Sequence, residues 1–176
     1  MMPGKTIIIA GDRASGKTTY ATQVCDWFEN KGISYTAILS PGFFEGSERT
    51  YYKLLCRPGG QEYLLCQRQA DQEYVKGGGF WFNPAAIRAG IDHLQKTGPS
   101  SKVVLMDEIG RLEAEGMVWA PVLHTSESWS SHRVLCIRTP FIPLIMNIIR
   151  SEDLHIVDTG TDFAQMITLL QTLDIS

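Results

Sequence analysis

The chain has no Cys-x-x-Cys pair. Its four cysteines are Cys25, Cys56, Cys66 and Cys136, and none stands in ligand spacing with His93, His124, His132 or His155. A cysteine–histidine zinc centre is therefore excluded as the organising element. Cys56 and Cys66 flank an expected turn, which leaves a disulfide open; buried free thiols are the expected state in a reducing compartment. There is no run of Lys and Arg either. With 16 basic and 19 acidic residues the formal net charge is −3, so nucleic acid is not an expected partner. No stretch reaches the ~20 apolar residues needed to span a bilayer. The longest, residues 141–149, is broken by Pro143 and Asn147 and reads as a buried helix or loop, so no membrane insertion is expected. No charged and apolar leader precedes the first strand, and a cytoplasmic protein is expected. Internal repeats, low-complexity tracts and linkers are also missing. The 176 residues, 44% of them hydrophobic, are expected to form one domain, 1–176, around one core.

What is present is a glycine-punctuated loop. Residues 11–18 read Gly-Asp-Arg-Ala-Ser-Gly-Lys-Thr, the pattern G-x-x-x-x-G-K-[ST] without a mismatch. The β-rich run Thr6-Ile7-Ile8-Ile9-Ala10 precedes it, and a helix is expected over residues 18–30. Strand, glycine loop and helix N-terminus together build an anion site. The glycines let successive N–H groups turn inward, and the helix adds unpaired donors and the positive end of its dipole. The expected phosphate-binding residues are Gly11, Asp12, Arg13, Ala14, Ser15, Gly16, Lys17, Thr18 and Thr19. Lys17 is assigned to the β- and γ-phosphates as a catalytic residue, and the Thr18 hydroxyl to Mg²⁺. The plainer alternative, a glycine turn before an ordinary helix, leaves the flanking strand and helix as coincidence.

Strand and helix signals alternate along most of the chain, which implies an α/β sandwich of three layers with a mostly parallel central sheet. Strands are expected over residues 5–10, 34–40, 102–106, 133–138 and 154–157. Helices are expected over 18–30, 84–96, 117–126, 141–150 and 162–173. The second strand should stop at Pro41-Gly42. The middle reads differently: residues 51–57 and 62–67 around Pro58-Gly59-Gly60 give an inserted β-hairpin, followed by a short aromatic strand, Phe80-Trp81-Phe82. Asn83 and Pro84 are an N-cap and a first helical position.

A phosphate loop needs a metal partner from another strand. Val103-Val104-Leu105-Met106 is an apolar run that ends in Asp107-Glu108. Ligands of open α/β sheets bind at the C-terminal ends of such strands. Asp107 is expected to hold Mg²⁺, directly or through water, and Glu108 to act as the base that orients the attacking water. Alone, an apolar run followed by two acids is a weak motif, since surface acids often follow strands. The phosphate loop some ninety residues earlier gives it meaning.

These segments, taken in order, resemble the thermophile-type nucleoside triphosphatases, whose animal members are called cancer-related nucleoside triphosphatases. The resemblance rests on Gly11 to Thr18, on Gly42-Phe43-Phe44 with Glu45, Glu48 and Arg49, on Gly79-Phe80-Trp81-Phe82-Asn83-Pro84, and on Asp107-Glu108-Ile109-Gly110-Arg111-Leu112-Glu113. It covers roughly residues 5–140. It implies slow Mg²⁺-dependent hydrolysis of ATP, GTP and other nucleoside triphosphates, on a P-loop fold between RecA-like ATPases and nucleotide kinases. The chain departs from the family's Asn-Arg-Asp before the last helix, where it has Thr159-Gly160-Thr161-Asp162.

Other residues carry weaker expectations. Arg49 and Arg57 are candidates to stabilise transition-state charge, against the reading of solvated strand-edge charges. Arg138 and Thr139 end a strand expected beside Asp107 and are candidate γ-phosphate sensors. Arg111 and Glu113 are expected to form a structural ion pair. Phe80, Trp81 and Phe82 are expected to pack rather than stack on a base. Three functional readings remain: a triphosphatase, a small-molecule or nucleotide kinase with its acceptor site somewhere in residues 41–84, and a nucleotide-dependent switch.

Overall fold

The structure, a computed structural model, describes residues 4–151 and 153–175. The first apolar run forms β1 (Thr6–Gly11), buried throughout. It feeds α1 (Lys17–Lys31), which ends on Gly32 with the Gly32 N–H turned back to the carbonyls of Phe28 and Glu29, a usual glycine termination. Next come β2 (Tyr35–Leu39), β3 (Gly42–Glu45), β4 (Glu48–Arg57), β5 (Gln61–Gln67), β6 (Val75–Gly77) and β7 (Phe80–Phe82). Then α2 (Pro84–Thr97) begins where the Asn83 side chain accepts the N–H of Ala85 at 3.0 Å. The remainder is β8 (Val103–Ile109), α3 (Arg111–Ala114), α4 (Ala120–Thr125), β9 (His132–Arg138), α5 (Ile142–Met146), β10 (Leu154–Asp158) and α6 (Phe163–Thr172).

All ten strands join one sheet in the order β10-β1-β9-β8-β2-β4-β5-β7-β6, with β3 paired on β4. The five strands from β10 to β2 run parallel. From β2 outward every pairing is antiparallel. The inner parallel strands β1, β9, β8 and β2 are largely apolar on both faces, as strands covered by helices on both sides must be, while the edge strand β10 is partly exposed. Their period of two sorts the core into two layers. Ile7, Ile9, Leu105 and Cys136 pack under α1 and α6 with Phe28 and Met166. Ile8, Met106, Leu135 and Ile137 pack on the opposite face with Leu94, Trp119 and Leu123.

The structure departs from the sequence expectations where local chemistry interrupts a pattern. β2 ends at Leu39, before Pro41-Gly42 as expected, but the chain then forms an unforeseen strand, β3, against β4, with Phe43 and Tyr51 stacked at 4.7 Å and 4°. The helix expected over 117–126 begins only at Ala120, because Gly116 (φ 80°) and Val118 (φ 50°) hold backbone that a right-handed helix cannot use. The helix expected to reach residue 150 ends at Met146. The four cysteines are free thiols, and the strand register explains why. Cys56 lies opposite Gln61 and Cys66 opposite Tyr52, so the two cysteines do not face each other. No helix among the described residues is long and apolar enough to cross a membrane.

Candidate active site

Four loops meet at the C-terminal edge of the parallel strands: those after β1, β2, β8 and β9. Open α/β sheets place ligands at this edge. The loop after β1 closes tightly. A Cβ on Gly11 would lie 2.2 Å from the Ser15 hydroxyl and 2.7 Å from that of Thr159, so only glycine lets the loop fold back this closely. Gly16, with φ 87°, turns the chain into α1. The N–H groups of the first helical residues, Lys17, Thr18 and Thr19, then point out of the helix N-terminus. Asp12, Arg13, Ala14 and Ser15 form the exposed crown of the loop. Lys17 is buried, and its Nζ donates to the carbonyls of Gly11 (3.1 Å) and Asp12 (2.7 Å). The ammonium thus sits inside the loop.

Asp107 comes from β8, which β9 separates from β1. It is fully buried, and three donors surround its carboxylate. The Thr18 hydroxyl (2.7 Å) and the Ser40 N–H (3.0 Å) reach Oδ2, and the Glu108 N–H (2.9 Å) reaches Oδ1. Burial pushes its carboxyl above the usual range, while these hydrogen bonds and Lys17 pull it back. Thr18 and Asp107 are 89 residues apart in sequence and in contact in the fold. Ser40 went unnoticed in the sequence because its contribution is a backbone N–H, which no side-chain motif marks.

Glu108 owes its position to a bulge. Met106 pairs with Leu135 and Ile109 with Ile137, so two residues of β8 oppose one of β9. Glu108 carries φ 58°, a left-handed conformation that costs a non-glycine residue about 1–2 kcal/mol. Bulges of this kind re-aim a side chain. Here it lines a cavity of about 700 Å³ together with Arg13, Ser40, Arg49 and Arg138. Burial, with Asp107 next to it, pushes its carboxyl up to about 7, against the pull of Lys17, Arg49 and Arg138.

A family model described as NTPase matches residues 6–159. The chain belongs to the NTPase family. Membership makes it, in general terms, a nucleoside triphosphatase. No curated protein matches its sequence. Among the solved structures that share its fold are the following two. One is the solution structure of a human cancer-related nucleoside triphosphatase: TM-score 0.74, 15% identity, covering 96% of this chain and 98% of that one. The other is the crystal structure of THEP1 from the hyperthermophile Aquifex aeolicus: TM-score 0.70, 19% identity, covering 97% of this chain and 98% of that one.

Within this NTPase the weaker candidates separate. Arg49 and Arg138 both line the cavity, and each has a buried Nε without a hydrogen-bond partner. Arg49 also lies over the rings of Phe44 and Tyr52, at 4.8 and 5.0 Å, and donates to the Tyr52 hydroxyl at 2.6 Å. Arg57 is not brought to the cavity. It bonds Asp26 and Glu29 of α1, both at 2.9 Å, and ties β4 to that helix. Arg111 does not pair with Glu113. It pairs with Glu115, one helical turn on, at 2.7 Å. Glu113 is buried and accepts the N–H groups of Gly110 (2.8 Å) and Trp119 (3.3 Å). Phe80 and Phe82 line the cavity, and Phe80 meets Tyr52 edge-on at 5.3 Å. Arg68 and Lys76 also line it. Sequence reasoning missed both, since neither lies in a motif and β6 carried no strand signal.

Proposed function

We propose that this NTPase hydrolyses the γ-phosphate of ATP or GTP with Mg²⁺, using Lys17 and Glu108 as its catalytic residues. The observation that carries the reading is the convergence, across 89 residues of sequence, of the Thr18 hydroxyl on the buried Asp107 carboxylate, with Glu108 presented beside it by the bulge. The triphosphate would lie in the loop of Gly11, Asp12, Arg13, Ala14, Ser15, Gly16, Lys17, Thr18 and Thr19. Lys17 would exchange its two loop carbonyls for β- and γ-phosphate oxygens, a swap from neutral acceptors to charged ones.

The residues also fit the cation. Among the described residues no group of three or more His, Cys, Asp and Glu could hold a metal by itself. A hydroxyl and one carboxylate, completed by phosphate oxygens and waters, is the hard oxygen set that suits Mg²⁺ better than a dedicated protein cage. Thr18 and Asp107 would hold it, and when bound it would offset charge on the β- and γ-phosphates.

The chemistry asked of the chain is modest. A water oxygen attacks the γ-phosphorus, the bond to the β,γ-bridging oxygen breaks, and the nucleoside diphosphate leaves. The Glu108 carboxylate takes the proton of the water. Arg49 and Arg138, whose Nε groups lack partners, supply donors to the γ-phosphoryl oxygens. The test is phosphate release from ATP and GTP with Mg²⁺. Glu108→Gln keeps nucleotide binding and lowers release at least about a hundredfold, which is about 2.7 kcal/mol of transition-state stabilisation. Lys17→Ala loses both binding and turnover. A normal rate in Glu108→Gln would move the base elsewhere, and a normal rate in Lys17→Ala would overturn the site.

A further inference from the structure

The cavity beside Glu108 is larger than a γ-phosphoryl group and its water require. At about 700 Å³ it has the size of a small-molecule pocket. It extends away from the phosphate loop toward the antiparallel strands, where the wall is made by Tyr52, Phe80 and Phe82, by Arg68 just after β5, by Lys76 on β6, and by Gly78 and Gly79. Strands β2 and β4 separate these outer strands from β8 in the sheet order. Of residues 11–18 only Arg13 lines this cavity.

The charge of the lining is unusual for a chain of net charge −3. Two of its three acids are already engaged, Glu113 with backbone N–H groups and Glu115 with Arg111. Setting aside that Arg111–Glu115 pair, Arg13, Arg49, Arg68, Lys76 and Arg138 face one remaining carboxylate, Glu108. Arg49 and Arg138 each keep a buried Nε without a partner. Arg68 is held by the Arg49 carbonyl (2.7 Å) and by Glu48 (3.7 Å), and lies over the Phe80 ring at 5.0 Å; Lys76 lies over Trp81 at 5.9 Å. A cationic pocket with aromatic walls selects an anion attached to a flat ring.

Resting on the triphosphatase reading, we propose that this cavity is a phosphoryl-acceptor site for a nucleoside monophosphate, and that the chain transfers the γ-phosphoryl group of its triphosphate to it. An oxygen of the monophosphate dianion attacks the γ-phosphorus where water otherwise would. A new P–O–P bond forms, the β,γ bridge breaks, and the products are two nucleoside diphosphates. Charge balances without a proton being moved, so the step asks nothing of Glu108 as a base. Hydrolysis is then the same displacement with water in an empty acceptor site.

The test uses the full chain with Mg²⁺ and ATP labelled at the γ-phosphate. AMP, GMP, CMP and UMP serve as acceptors, and the four matching nucleosides as controls. Labelled diphosphate and free phosphate are read from the same reaction. The expected result is label in the diphosphate of at least one monophosphate, formed faster than free phosphate, and none in the nucleosides. Lys76→Ala and Arg68→Ala should each raise the acceptor's KM about tenfold, the loss of one charge-assisted contact, with kcat changed far less. Free phosphate without any labelled diphosphate overturns the proposal and leaves hydrolysis standing. Neither product overturns both readings. Labelled diphosphate with an unchanged acceptor KM in both variants overturns the cavity as the acceptor's site.

Discussion

Replacing Glu113 with Gln should change the pH dependence of stability in a defined direction. Glu113 is buried, and both its oxygens accept backbone N–H groups at the turn into α3 and α4. Burial is the dominant effect and pushes its carboxyl from the ordinary 4.5 up to about 7. Between these values the folded chain keeps a proton that the unfolded chain has lost, so stability falls as pH rises through this window and is level outside it. At about 1.4 kcal/mol per pH unit the loss from pH 4.5 to above 7 is about 3 kcal/mol. Gln does not titrate. It keeps one acceptor and turns an amide N–H₂ toward the other backbone donor, a cost of about 1–3 kcal/mol at every pH. The wild type should therefore exceed Glu113→Gln in stability at pH 5, and the difference should shift by about 2.5 kcal/mol in favour of the variant by pH 8. Other titrations are shared by the two proteins and cancel. Denaturant unfolding followed by tryptophan fluorescence at four pH values measures the gap directly, since Trp119 is one of the two residues bonded to the carboxylate. A gap that stays level from pH 5 to pH 8 would refute the argument.

Three further outcomes are expected. Because residue 108 sits at φ 58°, Glu108→Gly should be more stable than Glu108→Ala by about 1 kcal/mol, the reverse of the usual order, as read by thermal unfolding. Gly90→Ala would place a Cβ 2.6 Å from the Trp119 ring and 3.1 Å from Leu54; overpacking there should cost about 1–3 kcal/mol, and an unchanged Tm would show that Trp119 can yield. A Mg²⁺–nucleotide at a hundred times its Kd should stabilise the wild type by about 2.7 kcal/mol and raise its Tm, whereas Lys17→Ala should show no shift.

Much of the candidate site was legible in the sequence because its signals are local. The phosphate loop is eight consecutive residues, and the Asp107-Glu108 pair ends an apolar run long enough to name a buried strand. The parallel strands announced themselves by short apolar runs such as Ile7-Ile8-Ile9 and Val103-Val104-Leu105-Met106. What escaped depended on contacts between distant segments. Ser40 acts through a backbone N–H, and only the adjacency of β2 and β8 makes that N–H a partner of Asp107. Arg68 and Lys76 reach the cavity because β5, β6 and β7 pair at the far end of the sheet, and a three-residue strand leaves no periodic trace. Glu113 looked like an ion-pair partner because Arg111 is near in sequence. Its burial against Trp119 is a property of packing.

The bulge at Glu108 has a further consequence. It inverts the phase of β8. Val104 and Met106 share one layer of the core, strict alternation would send Ile109 to the other, and yet Ile109 packs with them. Everything that follows, from Gly110 through α3, takes its facing from this one extra residue. Exchange and excision at this position are therefore different events. A substitution at 108 alters the carboxylate and leaves the frame of the sheet intact. A one-residue deletion would remove the bulge and restore strict alternation, leaving Ile109 opposite Ile137 in its present layer while losing the carboxylate and the kink that presents it. In a library of variants the fold should tolerate both replacement and loss at this position, and loss should cost the site its carboxylate and its geometry.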